Sequence, residues 1–233
     1  MNRWRVMTWN VHGSAKPNPA ALVEVIARHD VDIACLQEIR PGQARKVARQ
    51  LGWNVFWSRK HLPYSIILWW RAEGLAIMSP YELTATSKLD LTPRESIMSF
   101  RNRIAQFALV RADDDRALSV INTHLGSGEN PAERVRQAQR LAQHFETAMV
   151  LAGDLNAPNE PEVLNELKAL GVHDAWIGTD DLGYTSEAAT PRQRIDYIMV
   201  GAAATEVLAT VEPGGPQWDR LSDHLPLAVG FTL

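Results

Sequence analysis

The chain has 233 residues, 45% of them hydrophobic and 22% charged, with a net charge of −3. This is the composition of a folded globular protein rather than a disordered or fibrous one, and the length suits one full hydrophobic core. The acidic balance lacks the basic excess that drives non-specific nucleic-acid binding, and no apolar stretch is long enough to cross a bilayer. The single cysteine, Cys35, rules out an intramolecular disulfide, which fits a reducing compartment, and the start leads into a strand-like alternation rather than a signal-peptide core, so the chain is expected to be cytoplasmic; it is also expected to be a monomer. No repeat and no linker-like shift in composition interrupts it, so residues 1–233 are expected to form one domain.

Residues 4–10 alternate as a strand that ends in a polar loop. Residues 19–29 read as a helix with Asn18 as its cap. Residues 33–37 form a short apolar strand in which Cys35 is a small core residue rather than a nucleophile. Residues 41–51 carry helical spacing and close on Gly52. The texture then changes to short runs rich in β-formers at 54–57, 66–69 and 75–78. Residues 104–111 and 117–122 flank an aspartate turn as a hairpin, and 131–145 form a helix with Val135, Ala138, Leu141, Ala142 and Phe145 on one face. A strand at 148–151, a helix at 160–170 and strands at 195–200, 206–210 and 227–232 complete the chain. The alternation predicts a layered α/β protein, with sheets packed together and helices outside.

Polar residues recur where these strands end: Asn10, Glu38, His124, Asp154 with Asn156, Asp196, and Asp223 with His224. Strand ends are where loops build sites. In Gly153-Asp154-Leu155-Asn156 the glycine allows a sharp turn, and two polar side chains two apart leave an extended segment on one side. Ser222-Asp223-His224 joins a carboxylate to an imidazole, and for Arg194 with Asp196 the plain alternative to a site role is an exposed ion pair across one face of a strand. Hard cations such as Mg²⁺ prefer oxygen ligands, which Asn10, Glu38 and Asp223 offer, and no Cys/His spacing resembles a structural zinc site. A thiol-free set with histidines suits hydrolysis of a phosphate ester.

The ordered set Thr8-Trp9-Asn10-Val11-His12-Gly13, Leu36-Gln37-Glu38, Gly74 to Ser79, Asn122-Thr123-His124-Leu125, Gly153-Asp154-Leu155-Asn156, Arg194 to Ile198 and Ser222-Asp223-His224 spans the chain. It resembles the endonuclease/exonuclease/phosphatase superfamily. The resemblance implies a four-layer α/β/β/α sandwich with two packed mixed sheets and outer helices. It implies Mg²⁺ or Mn²⁺ held by Glu38, with Asn10 and Asp223 nearby. By the same resemblance Asp154 orients or deprotonates the attacking water, Asn156 holds the phosphate, and His224 with its partner Asp196 polarises a phosphate oxygen. His124 then stabilises the phosphate or protonates the leaving oxygen. Arg103, placed before a strand as in the non-nuclease members, is the substrate-binding arginine expected ahead of Arg101, Arg134 and Arg136. His12 departs from the acidic residue usual at this place in repair nucleases. The expected activity is hydrolysis of a phosphodiester or phosphomonoester, on a small or lipid-linked substrate. The alternatives are a metal-dependent DNA nuclease, with nucleic acid not indicated by the charge, and a scaffold that has retired its site. Trp69-Trp70 invites a membrane or base-stacking role against a plain structural one, and Trp218 is a candidate pocket wall.

Overall fold

Strand β1 (Arg3–Asn10) shows why the strands of this chain read as unbroken apolar runs: both of its faces are covered. Trp4 and Val6 enter one core while Met7 and Trp9 enter another. The computed structural model describes residues 2–61, 66–92, 102–145, 150–158, 160–176 and 181–233. The first sheet also contains β2 (Ile33–Ile39), β3 (Asn54–Arg59), β4 (Gly74–Ser79), β11 (Thr205–Val211) and β12 (Leu227–Thr232), in the order β11-β12-β1-β2-β4-β3. The second contains β5 (Glu82–Asp90), β6 (Ile104–Arg111), β7 (Ala117–His124), β8 (Val150–Asp154), β9 (Val172–Asp174) and β10 (Asp196–Gly201), in the order β5-β6-β7-β8-β10-β9.

Three cores separate four layers. Trp4, Val6, Ile33, Ile77, Val120, Val150, Ile198 and Phe231 fill the space between the sheets. Helices α1 (Pro19–Arg28) and α2 (Pro41–Leu51) press Leu22, Ile26 and Val47 on the outer face of the first sheet. Helices α3 (Pro131–His144) and α4 (Pro161–Leu167) press Leu141, Val163 and Leu167 on the second. The expected α/β/β/α sandwich is what the chain forms. Local signals set the helix ends: the Asn18 side chain accepts from Ala20 N at 3.0 Å, and Gly52 closes α2 at φ 71°. No helix among the described residues is long and apolar enough to cross a membrane.

Two sequence readings change. Residues 66–69, expected as a strand, lie in a 3₁₀ turn over Ile66–Arg71, because β-branched and aromatic residues form strands only when they find a half-buried surface. Strand β5 went unseen because its alternating side chains are mostly exposed at a sheet edge, and β9 is only three residues long. Residues 148 and 149 of the expected strand, and Arg101, lie outside the described residues.

Strand directions gather the functional ends. The pairs β1/β2 and β7/β8 are parallel, and β12 and β10 run antiparallel to β1 and β8. The last residues of β1, β2, β7 and β8 therefore share one end of the sandwich with the first residues of β10 and β12. Just below that end a buried amide cluster joins the sheets. Gln37 Nε2 donates to Thr8 Oγ1 at 3.0 Å and to Asn122 Oδ1 at 2.9 Å. Asn122 Nδ2 in turn reaches the Ala76 carbonyl at 3.0 Å and Gln106 Oε1 at 3.3 Å. Such a network is costly to leave half satisfied. Asn122→Ala is expected to destabilise the protein by about 2–4 kcal/mol, since each stranded buried group costs about 1–3 kcal/mol. Urea unfolding should show a lower midpoint at unchanged slope.

Candidate active site

The strand ends deliver the polar set to one place. Asn10 ends β1, Glu38 stands next to last in β2, His124 ends β7, Asp154 ends β8 and Asp196 opens β10. The register sets His124 and Asp196 on either side of Asp154. Gly153 is needed for a reason other than a turn. It lies inside β8, and a Cβ there would meet the Thr123 carbonyl oxygen at 2.1 Å. Only glycine lets β7 and β8 approach this closely just before their catalytic-end residues. Gly13 repeats the device, with a Cβ meeting the Glu38 carbonyl at 2.2 Å, so the His12-Gly13 turn lies on the Glu38 backbone.

Three non-glycine residues here adopt left-handed backbone, His12 at φ 45°, Glu38 at φ 57° and Asn156 at φ 48°. Asparagine tolerates this region, but a glutamate inside a strand does so at a cost typical of functional sites. Asn156 is held by its own N–H donating to Asp154 Oδ1 at 3.0 Å and by its amide donating to the Leu125 carbonyl at 3.2 Å.

Asp154 is the hub. Asn10 Nδ2, from the other sheet, donates to Asp154 Oδ2 at 3.0 Å. His124 Nε2 lies 3.5 Å and His224 Nε2 3.9 Å from that same oxygen. His224 Nδ1 meets Asp196 Oδ2 at 2.8 Å, the pairing the resemblance implies, and Asp196 does not form the simpler exposed pair with Arg194. Arg194 instead grips Asp174 with both Nη atoms, at 3.0 and 2.6 Å. Trp9 Nε1 donates to the His224 carbonyl at 2.9 Å, and Ser222 Oγ donates to the Asn10 carbonyl at 2.6 Å. These two bonds tie the segment before β12 to the end of β1.

Burial and neighbouring charge push the two imidazoles apart. Burial lowers His124 well below the ordinary histidine range, and the cations Lys60 and Arg103 add to it, so the ring is neutral. Burial would also lower His224, but the carboxylates of Asp196 and Asp154 outweigh it and raise the ring to about 10. Asp154 is itself pushed up to about 7, by burial first and then by the Asp196 charge. One neutral and one protonated imidazole thus face the same carboxylate.

Two groups offer ligand atoms to a cation. Asp154, Asp196 and His224 bring theirs within 4.8 Å of one another, but all three are buried and bonded to protein. Of the expected oxygen ligands Glu38 and Asp223 are the more open, whereas Asn10 is buried and its Oδ1 accepts from His12 N at 3.1 Å. The Glu38 side chain is 22% and the Asp223 side chain 61% exposed, and Asp223 Oδ1 meets His12 Nδ1 at 3.2 Å. The donor chemistry fits a hard divalent ion.

Sequence reading missed Lys60 and Glu73. Lys60 Nζ is nearly buried 3.7 Å from Glu38 Oε1, and Glu73, half-buried, is raised by burial and by the Glu38 charge. Both stand at strand ends on the same side of the sandwich, β3 for one and β4 for the other, which was the available signal. Of the expected arginines, Arg103 lies at the site floor, donating to the Leu125 carbonyl at 2.8 Å and to Ser127 Oγ at 3.2 Å. Arg134 is bound to Glu160 and the Gly126 carbonyl, and Arg136 is exposed on α3, so neither joins the cluster. Trp218 is core: it packs edge-on against Trp9 at 5.9 Å and is 2% exposed. A cleft of about 860 Å³ is lined by Pro158, Trp176, Leu182, Tyr184, Arg192 and Arg194 among others, chain neighbours of Asn156 and Asp196 but not members of the polar cluster.

A family model described as "Endonuclease/Exonuclease/phosphatase family" matches residues 7–224. No curated protein matches. Among solved structures, an endonuclease/exonuclease/phosphatase from Beutenbergia cavernae shares 22% identity at TM-score 0.79, covering 100% of this chain and 72% of that one. A mannosyl-6-phosphatase from Bacteroides thetaiotaomicron shares 17% at 0.73, covering 99% and 100%. The human Nocturnin catalytic domain with bound sulfate shares 21% at 0.75, covering 99% and 93%. These likenesses are of fold.

Gly153→Ala tests the geometry. The methyl must push the ends of β7 and β8 apart, so a loss of about 1–3 kcal/mol is expected, together with a fall in turnover larger than the fraction unfolded explains. Thermal melts and steady-state assays on one preparation separate the two effects.

Proposed function

Because the chain belongs to the endonuclease/exonuclease/phosphatase family, we propose that it hydrolyses the phosphoester bond of a small or lipid-linked substrate with Mg²⁺ or Mn²⁺. Membership makes it a metal-dependent hydrolase of phosphoester bonds. The observation that carries the residue roles is the buried Asp154 carboxylate, bonded to Asn10 and flanked by one neutral and one protonated imidazole.

In this reading Asp154 orients the attacking water and takes its proton. His224, kept protonated by Asp196, donates to a phosphoryl oxygen. The Asn156 amide, one N–H of which is held on the Leu125 carbonyl, would use its other N–H to hold the phosphate. His124 supplies a neutral ring to the phosphate or the leaving oxygen. Arg103 and Lys60 contribute positive charge from the floor, where partial desolvation strengthens their pull. Glu38, with Asn10 and Asp223, would hold the divalent ion, which when bound neutralises charge on the phosphoryl group. The cleft walled by Pro158, Tyr184 and Arg194 would receive the remainder of the substrate. Its size and the net charge of −3 favour a small molecule or head group over a duplex.

The test is turnover of bis-p-nitrophenyl phosphate, p-nitrophenyl phosphate and supercoiled plasmid in Mg²⁺ and in Mn²⁺. Ester hydrolysis abolished by EDTA and restored by either ion is expected, with kcat lowered about 10²–10⁴-fold in Asp154→Asn. Turnover that survives EDTA, or is unchanged in Asp154→Asn, contradicts the reading. Efficient nicking at physiological salt without ester hydrolysis would move the substrate to DNA.

A further inference from the structure

The exposed large apolar side chains are unevenly placed. Among the described residues they are Ile67, Trp69, Trp70, Leu182, Tyr184 and Leu208. Leu208 lies on edge strand β11. The other five all sit on connections that leave the sandwich at its catalytic end. Strand β4 pairs antiparallel with both β2 and β3, so β3 ends and β4 begins at the level of Glu38. The turn Ile66–Arg71 lies between them, and its root is closed by Lys60 N donating to the Glu73 carbonyl at 2.9 Å. Leu182 and Tyr184 belong to the connection from β9 to β10, which arrives at Asp196.

Ile67 is 73% exposed and Trp69 and Trp70 are each 52% exposed. Two indoles and an isoleucine held in solvent by one turn form an interaction patch rather than scattered surface residues. Indole, apolar in body with one N–H, prefers the head-group level of a membrane. The charges around the turn suit the same partner. Arg71 ends the turn and Arg59 ends β3 below it, both exposed, and no acidic residue occurs from Ile66 to Arg71, although Glu73 lies at the root and exposed Asp181 precedes Leu182. An aromatic platform for single-stranded nucleic acid would also expose rings, but it needs a continuous basic groove to follow the backbone, and between Ile66 and Glu73 Arg71 is the one basic residue.

We propose that the Ile67-Trp69-Trp70 turn, with Leu182 and Tyr184 at the same end of the sandwich but across it, docks the catalytic mouth on a lipid bilayer. This rests on the phosphoesterase reading and narrows its substrate to a phosphoester presented at head-group level. It also explains why apolar surface crowds the end of the fold where a purely soluble substrate would need none.

The experiment is co-sedimentation of the full chain, in EDTA, with phosphatidylcholine vesicles containing or lacking phosphatidylserine, followed by quenching of tryptophan fluorescence with brominated phosphatidylcholine. Wild type is expected to partition to the vesicles and to be quenched, more strongly with phosphatidylserine. Trp69→Ala/Trp70→Ala should weaken partitioning on the order of tenfold or more and hydrolyse a water-soluble ester at the wild-type rate. Asp154→Asn should partition like wild type, which keeps docking separate from chemistry. Equal partitioning of wild type and the double tryptophan variant, or no quenching by the brominated lipid, overturns the proposal. So does dependence of single-stranded oligonucleotide binding, rather than vesicle binding, on the two indoles.

Discussion

One hydrogen bond, Asn10 Nδ2 to Asp154 Oδ2, is the contact on which the site depends. Its partners end strands in different sheets, so it forms only when the sheets stack in one relative position. The amides of Gln37, Asn122 and Gln106 lie beneath it in the intersheet core and hold that position, because sliding would strand several buried polar groups at once. Strand direction does the rest. Two parallel pairs, each ending at the same level, bring Asn10, Glu38, His124 and Asp154 to one end, and the antiparallel neighbours bring Asp196 and His224 to meet them.

The site combines groups that burial alone would neutralise. His224 keeps its proton because two carboxylates oppose its desolvation, whereas His124, within reach of Asp154 but beside the cations Lys60 and Arg103, does not. A buried charge is tolerated when paired and bonded, and removing one partner costs more than the pair contributes. The environment thus assigns different protonation states to two residues of one type, which a phosphoryl-transfer site can use as a charged and a neutral partner for the same phosphate.

Much of the fold was readable because this architecture covers both faces of its central strands. Continuous apolar runs such as Val150-Leu151-Ala152 then mark strands directly, and the polar residues that end them mark the site. What could not be read was long-range. Lys60 sits between Arg59 and His61 and looks like a solvated charge until β3 is placed beside β4 and β2, which brings its ammonium to Glu38. The family resemblance, not the strand pattern, pointed to His224 as the partner of Asp196, because alternation along a strand says which residues share a face, not what faces them. Asp174 and His224 come from other segments. The role of Gly153 was misjudged for the same reason, since the carbonyl it makes room for belongs to Thr123 in the neighbouring strand. The Ile66–Arg71 turn carries strand-forming residues in a setting with no sheet to receive them.

A double-mutant cycle on kcat/KM for a soluble phosphodiester, using Asn10→Ala, Asp154→Asn and the double variant, tests most directly whether the intersheet contact and the catalytic carboxylate act as one unit. If they do, the losses are strongly non-additive, and the double variant is slower than the slower single by no more than about tenfold. If instead the two losses multiply, Asn10 and Asp154 act independently, and the account of a site assembled by their contact is wrong.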